Sequence, residues 1–396
     1  MTHRIIYWFR NDLRLQDNEA FFLAAQHAQQ VIPVYVFDPR LFEPTTLGFN
    51  RTGILRGQYL LQAVASLRKE LRERGSELLI RIGTPETIVA QMADHYQASY
   101  VFTSKKIGPK ETKVESSLSK NLKSSNIDIK LPWIDTLLPA TSLPFSIARL
   151  PHRFEQYLEA IQNVTPIQPV LPIPDSLALS SDLVIESGTI PSLAQMGLDP
   201  QQTTCALPSD IGEAHAQQVL KQFVADSLAG QYTQSIDPIT DAQLSIWLSL
   251  GCLSPRQIYW AIEELPAPQK ALIVRGLHKR DYAHYTLLKY GPRLFKPTGI
   301  KHEFEKMWQN DKESFQNWIA GATDRQDINA VMQKLAATGN LSGEERNLAA
   351  QYLVNELAIN WTWGATYFES MLLDYDVAIS WGRWNNIAEV GISAKG

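Results

Sequence analysis

The sequence predicts an α/β half built on a doubly wound parallel sheet, then an all-α half, the two joined by a long proline-rich connector. Three observations predict this. Over residues 1–131, short and nearly continuous apolar runs alternate with amphipathic stretches, the pattern of strands covered by helices on both faces. Residues 132–208 hold 11 of the chain's 22 prolines. After Gly212, apolar residues recur at helical spacing. A chain of 396 residues also exceeds the ~250–300 that one core usually fills. We therefore divide it into a sheet domain (1–131), a connector (132–210) and a helical domain (211–396).

Each element has its own signal. Strands are expected at 3–9, 31–38, 77–82, 98–104 and 128–131, with helices between them at 18–29, 51–74, 84–96 and 109–124. Thr84-Pro85-Glu86 supplies a cap residue, a first-turn proline and an acid matched to the helix dipole. Open sheets of this type bind ligands at the carboxyl ends of their strands, which nominates Arg10, Asn11, Asp12 and Arg14 for a small ligand. No glycine-rich phosphate loop marks the place. The connector reads as irregular, anchored by Leu137, Leu138, Leu143, Phe145, Phe154 and Leu158. Beyond it, helices are expected at 213–229, 241–249, 254–264, 268–290, 312–320, 327–338, 344–361 and 364–372.

Composition narrows the function. With 44% hydrophobic and 20% charged residues the chain is of the soluble globular class, and its apolar runs are too short to span a bilayer. Without the h-region of a signal peptide, a cytoplasmic location is expected. Two cysteines, Cys205 and Cys252, exclude a disulfide framework and a four-cysteine iron–sulfur cluster. The eight histidines lack metal spacing, so no metal is expected, and no nucleophile–base pairing stands out. Net charge is −4, but residues 1–131 hold 18 Lys/Arg against 13 Asp/Glu and the remainder 19 against 28. The stretch 270–312 is locally basic, ten against four. An acidic second half weakens the case for duplex DNA, while the basic stretch suits a short single strand or is simply a solvated face.

Ten tryptophans suit helix packing by large aromatic anchors. They also suit redox work, because indole is readily oxidised and indoles on rigid elements can pass an electron to a photoexcited cofactor. Motifs along the chain bear on that choice. Tyr7-Trp8-Phe9-Arg10-Asn11-Asp12-Leu13-Arg14 with Asp17-Asn18, Trp247-Leu248-Ser249-Leu250-Gly251-Cys252-Leu253-Ser254-Pro255-Arg256-Gln257, and Leu373-Asp374-Tyr375-Asp376-Val377-Ala378 with Trp381-Gly382 and Trp384 resemble the photolyase/cryptochrome family. Asp135-Thr136-Leu137-Leu138 and Leu143-Pro144-Phe145 are similar to its DASH branch.

The resemblance implies a helical FAD-binding domain and an electron relay of Trp384, Trp361 and Trp308, from the flavin outward. Trp318, Trp363 and Trp381 are left to packing, with Trp381 a side branch. Arg346 and Asp374 match a paired guanidinium and carboxylate facing the flavin ring, a pair that structural packing alone could also require. Asp376 matches a carboxylate at its polar edge, and Tyr232, Leu244, Ser245 and Arg280 match residues along the ribityl and diphosphate. Two cofactor positions depart from the family. Asp241 with Ala242 stands where small hydroxyls usually meet the diphosphate, and Ser380 replaces the amide that faces flavin N5.

The pocket for a flipped pyrimidine dimer departs further. Gly276 replaces a glutamate, Lys279 a stacking tryptophan, Gly343 with Glu344 an amide and an arginine, and Asn386 a second aromatic. Such a lesion needs a carboxyl, aromatic walls and cationic help, so repair is expected to be poor or absent. The chain also stops at Gly396, soon after Val390-Gly391, where the family usually continues, so it resembles a C-terminally short form. An antenna pigment of folate or deazaflavin type stays open, since Glu111 falls near a carboxylate used by folate-binding relatives; as an ordinary surface-helix acid it needs no ligand. The leading expectation is a blue-light-absorbing FAD protein, photoreduced through the tryptophans, with a photoreceptor or redox role and at most weak or single-stranded DNA binding. The alternatives are a light-driven photolyase of cyclobutane pyrimidine dimers and a flavin-free remnant that binds a partner.

Overall fold

A computed structural model describes residues 3–162, 166–175, 177–179, 183–199, 210–233, 235 and 237–392. Five strands, β1 (Arg4–Phe9), β2 (Gln30–Phe37), β3 (Leu79–Ile82), β4 (Tyr100–Phe102) and β5 (Asp128–Lys130), form one all-parallel sheet in the order β3-β2-β1-β4-β5. Parallel neighbours need crossovers, supplied by α1 (Glu19–His27), α2 (Ile54–Glu73), α3 (Pro85–His95) and α4 (Pro109–Leu122). Side chains alternate across β1. Ile5, Tyr7 and Phe9 enter a core shared with α1, α2 and the helical half, whereas Ile6 and Trp8 pack with Val89 and Met92 of α3 and Leu118 of α4. The doubly wound expectation therefore holds, and one apolar core runs from the sheet into the helices. Thr84 does precede α3, but its side chain makes no capping bond.

The later helices are α5 (Phe154–Ile161), α6 (Glu213–Leu228), α7 (Pro238–Asp241), α8 (Leu244–Leu250), α9 (Pro255–Ala261), α10 (Ala267–Tyr290), α11 (Lys312–Ala320), α12 (Gln326–Thr338), α13 (Gly343–Gln351), α14 (Trp361–Met371) and α15 (Val377–Ile387). Four differ from expectation, the first being α7, a short turn ahead of α8 where one helix was expected over 241–249. Helix α5 interrupts the connector, its Tyr157 and Ile161 buried. The helix expected over 344–361 stops early: a π-helical turn at Tyr352–Glu356 leads to Ala358 in the left-handed region (φ +50°), and Asn360 caps a new helix by accepting from Thr362 N. Helix α15 was not expected at all; Asp376 starts it by accepting from the Ala378 and Ile379 N–H groups.

The residues after β1 form a joint between the halves. Arg14 donates to the Gly251 carbonyl (2.9 Å) and Asn11 to that of Ser249 (3.1 Å), while Asp12 accepts from the Tyr7 hydroxyl (2.6 Å). In return, the Glu213 carboxylate accepts from Leu15 N (2.6 Å) and Gln16 N (3.0 Å), and Arg256 pairs with Asp17 at 2.8 Å. Gly251 lies at φ +75°, where a Cβ would strike the Asn11–Asp12 backbone, so only glycine allows this approach. The connector is clipped to α10 by buried Asp281, which accepts from Leu137 N (2.9 Å) and Leu138 N (3.0 Å). Among the described residues no helix is long and apolar enough to cross a membrane.

Candidate functional site

Helices α10, α13 and α15 converge on a buried charged centre. A capping box at Ser342, closed by Glu345, starts α13 and puts Arg346 at the beginning of its second turn, pointing inward. Arg346 donates through Nη2 to Asp374 Oδ2 (2.8 Å) and through Nε to the Leu341 carbonyl (2.9 Å), with side-chain exposures of 8% and 3% for the pair. On α15, Ser380, Arg383 and Trp384 fall at i, i+3 and i+4 and so share one face.

Asp376 is engaged on both oxygens. Oδ1 caps α15, and Oδ2 lies 2.7 Å from His284 Nε2 and 3.5 Å from Arg280 Nη2. Burial pushes its pKa up, but His284 and Arg280, with the backbone N–H of Ile379, outweigh burial and hold the carboxyl well below the usual range. Arg280 also donates to the Asp135 carbonyl, and the Asp135 carboxylate pairs with Lys106 of the sheet domain at 2.7 Å. A chain of charges thus runs from the sheet domain through the connector to α15.

Among the described residues fifteen buried side-chain polar atoms lack a hydrogen-bond partner, and four of them belong to residues of this centre: Asp374 Oδ1, Ser380 Oγ, Arg383 Nη1 and His284 Nδ1. Donors and acceptors, both charged and neutral, are what a flavin's heterocyclic edge requires. A cavity of about 380 Å³ is bordered by Thr240, Asp241, Gln243, Asn340, Leu341 and Ser342 and reaches Tyr59 of α2 and Leu373, the residue before Asp374, and its size is that of a small-molecule site.

The remaining nominated residues fall as follows. Tyr232 is half-buried with its ring 5.2 Å from Phe223, Leu244 is fully buried in the shared core, and Ser245 is half-buried on α8. Asp241 is exposed and accepts from the Ser235 hydroxyl (2.6 Å). Lys279, Glu344 and Asn386 are exposed. The α7 turn lies against both glycines: a Cβ on Gly276 would sit 3.1 Å from Ile239 Cδ1, and one on Gly343 4.0 Å from Asp237 Cβ. Glu111 folds over Gly108 at its own helix start.

The indoles fall into contact groups. Trp384 is buried with its six-membered ring on Gly364, where a Cβ would collide with it; its ring also meets Trp318 (6.4 Å) and Phe368 (5.2 Å). Trp361, fully buried one turn before Gly364, meets the Trp381 ring at 5.7 Å. Half-buried Trp308 and Trp361 both donate to the Pro297 carbonyl, at 3.2 and 3.0 Å. Trp363 meets Phe315 at 5.3 Å. Sequence reasoning missed Arg383, His284 and Asp237, and for Arg383 the helical stripe with Ser380 and Trp384 was the available signal.

A doubly wound sheet domain is thus docked on helices that enclose a buried charged centre with unpaired polar atoms. Residues 5–175 match the DNA photolyase family, and residues 273–396 match the FAD binding domain of DNA photolyase. The chain is 34% identical to cryptochrome DASH of Gloeobacter violaceus, over 100% of this chain and 81% of that protein. It is 33% identical to the chloroplastic/mitochondrial cryptochrome DASH of Arabidopsis thaliana, over 98% and 70%. The crystal structure of Synechocystis sp. PCC6803 cryptochrome superposes with a TM-score of 0.92 at 31% identity, over 100% of this chain and 84% of that one. The chain belongs to the photolyase/cryptochrome family. It is an FAD flavoprotein of that family, and the donors and acceptors around Arg346 and Asp374 fit the cofactor.

Proposed function

We propose that this flavoprotein absorbs blue light and is photoreduced through Trp384, Trp361 and Trp308, with a photoreceptor or redox role in place of dimer repair. The observation that carries the reading is the run of indoles from half-buried Trp308 to buried Trp384, next to the charged centre. Trp308 and Trp361 share one carbonyl acceptor, and Trp361 lies one helical turn from the glycine on which Trp384 rests. FAD supplies the blue absorption and the electron-accepting ring. The chain's own residues do the rest: Arg346 and Asp374 orient the ring, Asp376 and His284 fix the start of α15, and Phe368 and Trp318 keep water from Trp384.

The substrate side supports the second half of the proposal. Gly276 and Gly343 bring no side chain to the positions where the resemblance puts the lesion contacts, the α7 turn packs beside both, and exposed Glu344 repels a DNA phosphate. DNA contact is expected to be weak or confined to single strands. The test is photoreduction of the purified chain under blue light, followed by absorption: Trp384→Phe should slow it at least tenfold, and an unchanged rate refutes the relay. Robust dimer reversal on irradiated oligonucleotides would instead make the chain a photolyase with a modified pocket.

A further inference from the structure

Arg383 entered above only as a donor without a partner. Its side chain keeps 23% of its surface in solvent, yet Nη1 is buried without a partner and the nearest carboxylate oxygen, on Asp237, stands 3.9 Å from Nη2, beyond hydrogen-bond reach. The neighbouring guanidinium is already compensated, because Arg346 holds Asp374 at 2.8 Å. Burial pushes the Arg383 pKa down and nearby Arg346 pushes it further, against the pull of Asp237 and Asp374. The Arg383 guanidinium is therefore only loosely compensated, by Asp237 at 3.9 Å, and a loosely compensated buried charge calls for an anion.

Its place on α15 says where that anion arises. Arg383 is one turn from Ser380 and adjacent to Trp384, on the face that carries both. Resting on the flavin reading, we propose that Arg383 is a potential-setting residue, the counter-charge for the electron that Trp384 delivers to the flavin ring. With FAD bound, the Trp384 indole would give up one electron to the cofactor, a soluble thiol reductant would refill the relay at Trp308, and Arg383 would neither gain nor lose a proton. A fixed positive charge aimed at developing negative charge stabilises the reduced side of the couple without reorganising.

Spectroelectrochemical titration of the FAD-loaded full chain tests this. Arg383→Gln should shift the reduction equilibrium at least tenfold toward the oxidised form, ~59 mV for one electron. Arg383→Lys should stay within threefold of wild type, and Asp237→Asn, which removes the distant counter-charge, should shift it the other way. An Arg383→Gln equilibrium within threefold of wild type overturns the proposal. So does a loss of FAD affinity in Arg383→Gln with riboflavin affinity and potential unchanged, which would assign the guanidinium to the diphosphate. Failure of the wild-type chain to take up FAD would sink the flavin reading itself, and the proposal with it.

Discussion

Replacing Asp374 by Asn tests whether the Arg346–Asp374 pair is the buried ion pair on which the centre is built. The two side chains meet at 2.8 Å and are 8% and 3% exposed. With charge centres ~4 Å apart and an effective dielectric of ~20, their attraction is about 4 kcal/mol. Removing one member of such a pair typically costs ~3–5 kcal/mol, because the other charge stays buried. Here the cost has a second source, since Arg346 would then face Arg383 with Asp237 as the remaining nearby carboxylate. The Asn carbonyl can still accept one bond, and the Leu341 carbonyl still holds Nε, so the lower end, about 3 kcal/mol, is expected. Urea unfolding of FAD-free protein, followed by tryptophan fluorescence, should show it as a midpoint lowered by roughly 1 M for a denaturant slope of ~3 kcal/mol per M. The double change Arg346→Met with Asp374→Leu should recover part of the loss. A loss below about 0.5 kcal/mol for Asp374→Asn would refute the pair's burial and the site built on it.

Two further predictions concern stability. Burial pushes the Asp281 carboxyl up to about 7, against the Leu138 and Leu137 N–H bonds. A raised folded-state pKa adds stability below the unfolded value of ~4 and loses it as pH rises through the folded value, at ~1.4 kcal/mol per pH unit as an upper bound. The stability advantage of wild type over Asp281→Asn should therefore shrink by a few kcal/mol between pH 4 and 7 in urea titrations, and a constant difference would contradict this. Gly364→Ala sets a methyl group against the Trp384 ring and should cost about 1–3 kcal/mol by overpacking, with a shifted fluorescence maximum; a neutral outcome would mean that the ring does not lie on Gly364.

Much of the fold was legible because its signals are local. The strands of the sheet read as apolar runs since both faces are covered, and the observed bounds of each fall within about two residues of expectation. The helix expected at 312–320 is Lys312–Ala320 itself, capped by Asp311 and ended by Gly321 at φ +62°. Breaks set by backbone geometry were harder. Ala358 carries no hint of a left-handed conformation, and apolar periodicity continues across it, so the first helix reads as running on to Trp361 and the second as starting only at 364, until Asn360 is recognised as a cap. Proline counting hid α5, although none of the connector's prolines lies within Phe154–Ile161. In the site, Arg346 and Asp374 were found through the family motif, since 28 residues separate them in sequence. His284 with Asp376, 92 residues apart, had no motif to announce it.

One peptide oxygen, that of Pro297, anchors both outer indoles, and the turn bearing it is locked in place. Gly299, at φ +60°, is pressed so close to Val390 that no side chain fits, and Lys301 N donates to the Val390 carbonyl at 3.0 Å. A substitution that displaces this carbonyl therefore takes a hydrogen bond from both indoles at once, although one ring is buried on α14 and the other lies half in solvent.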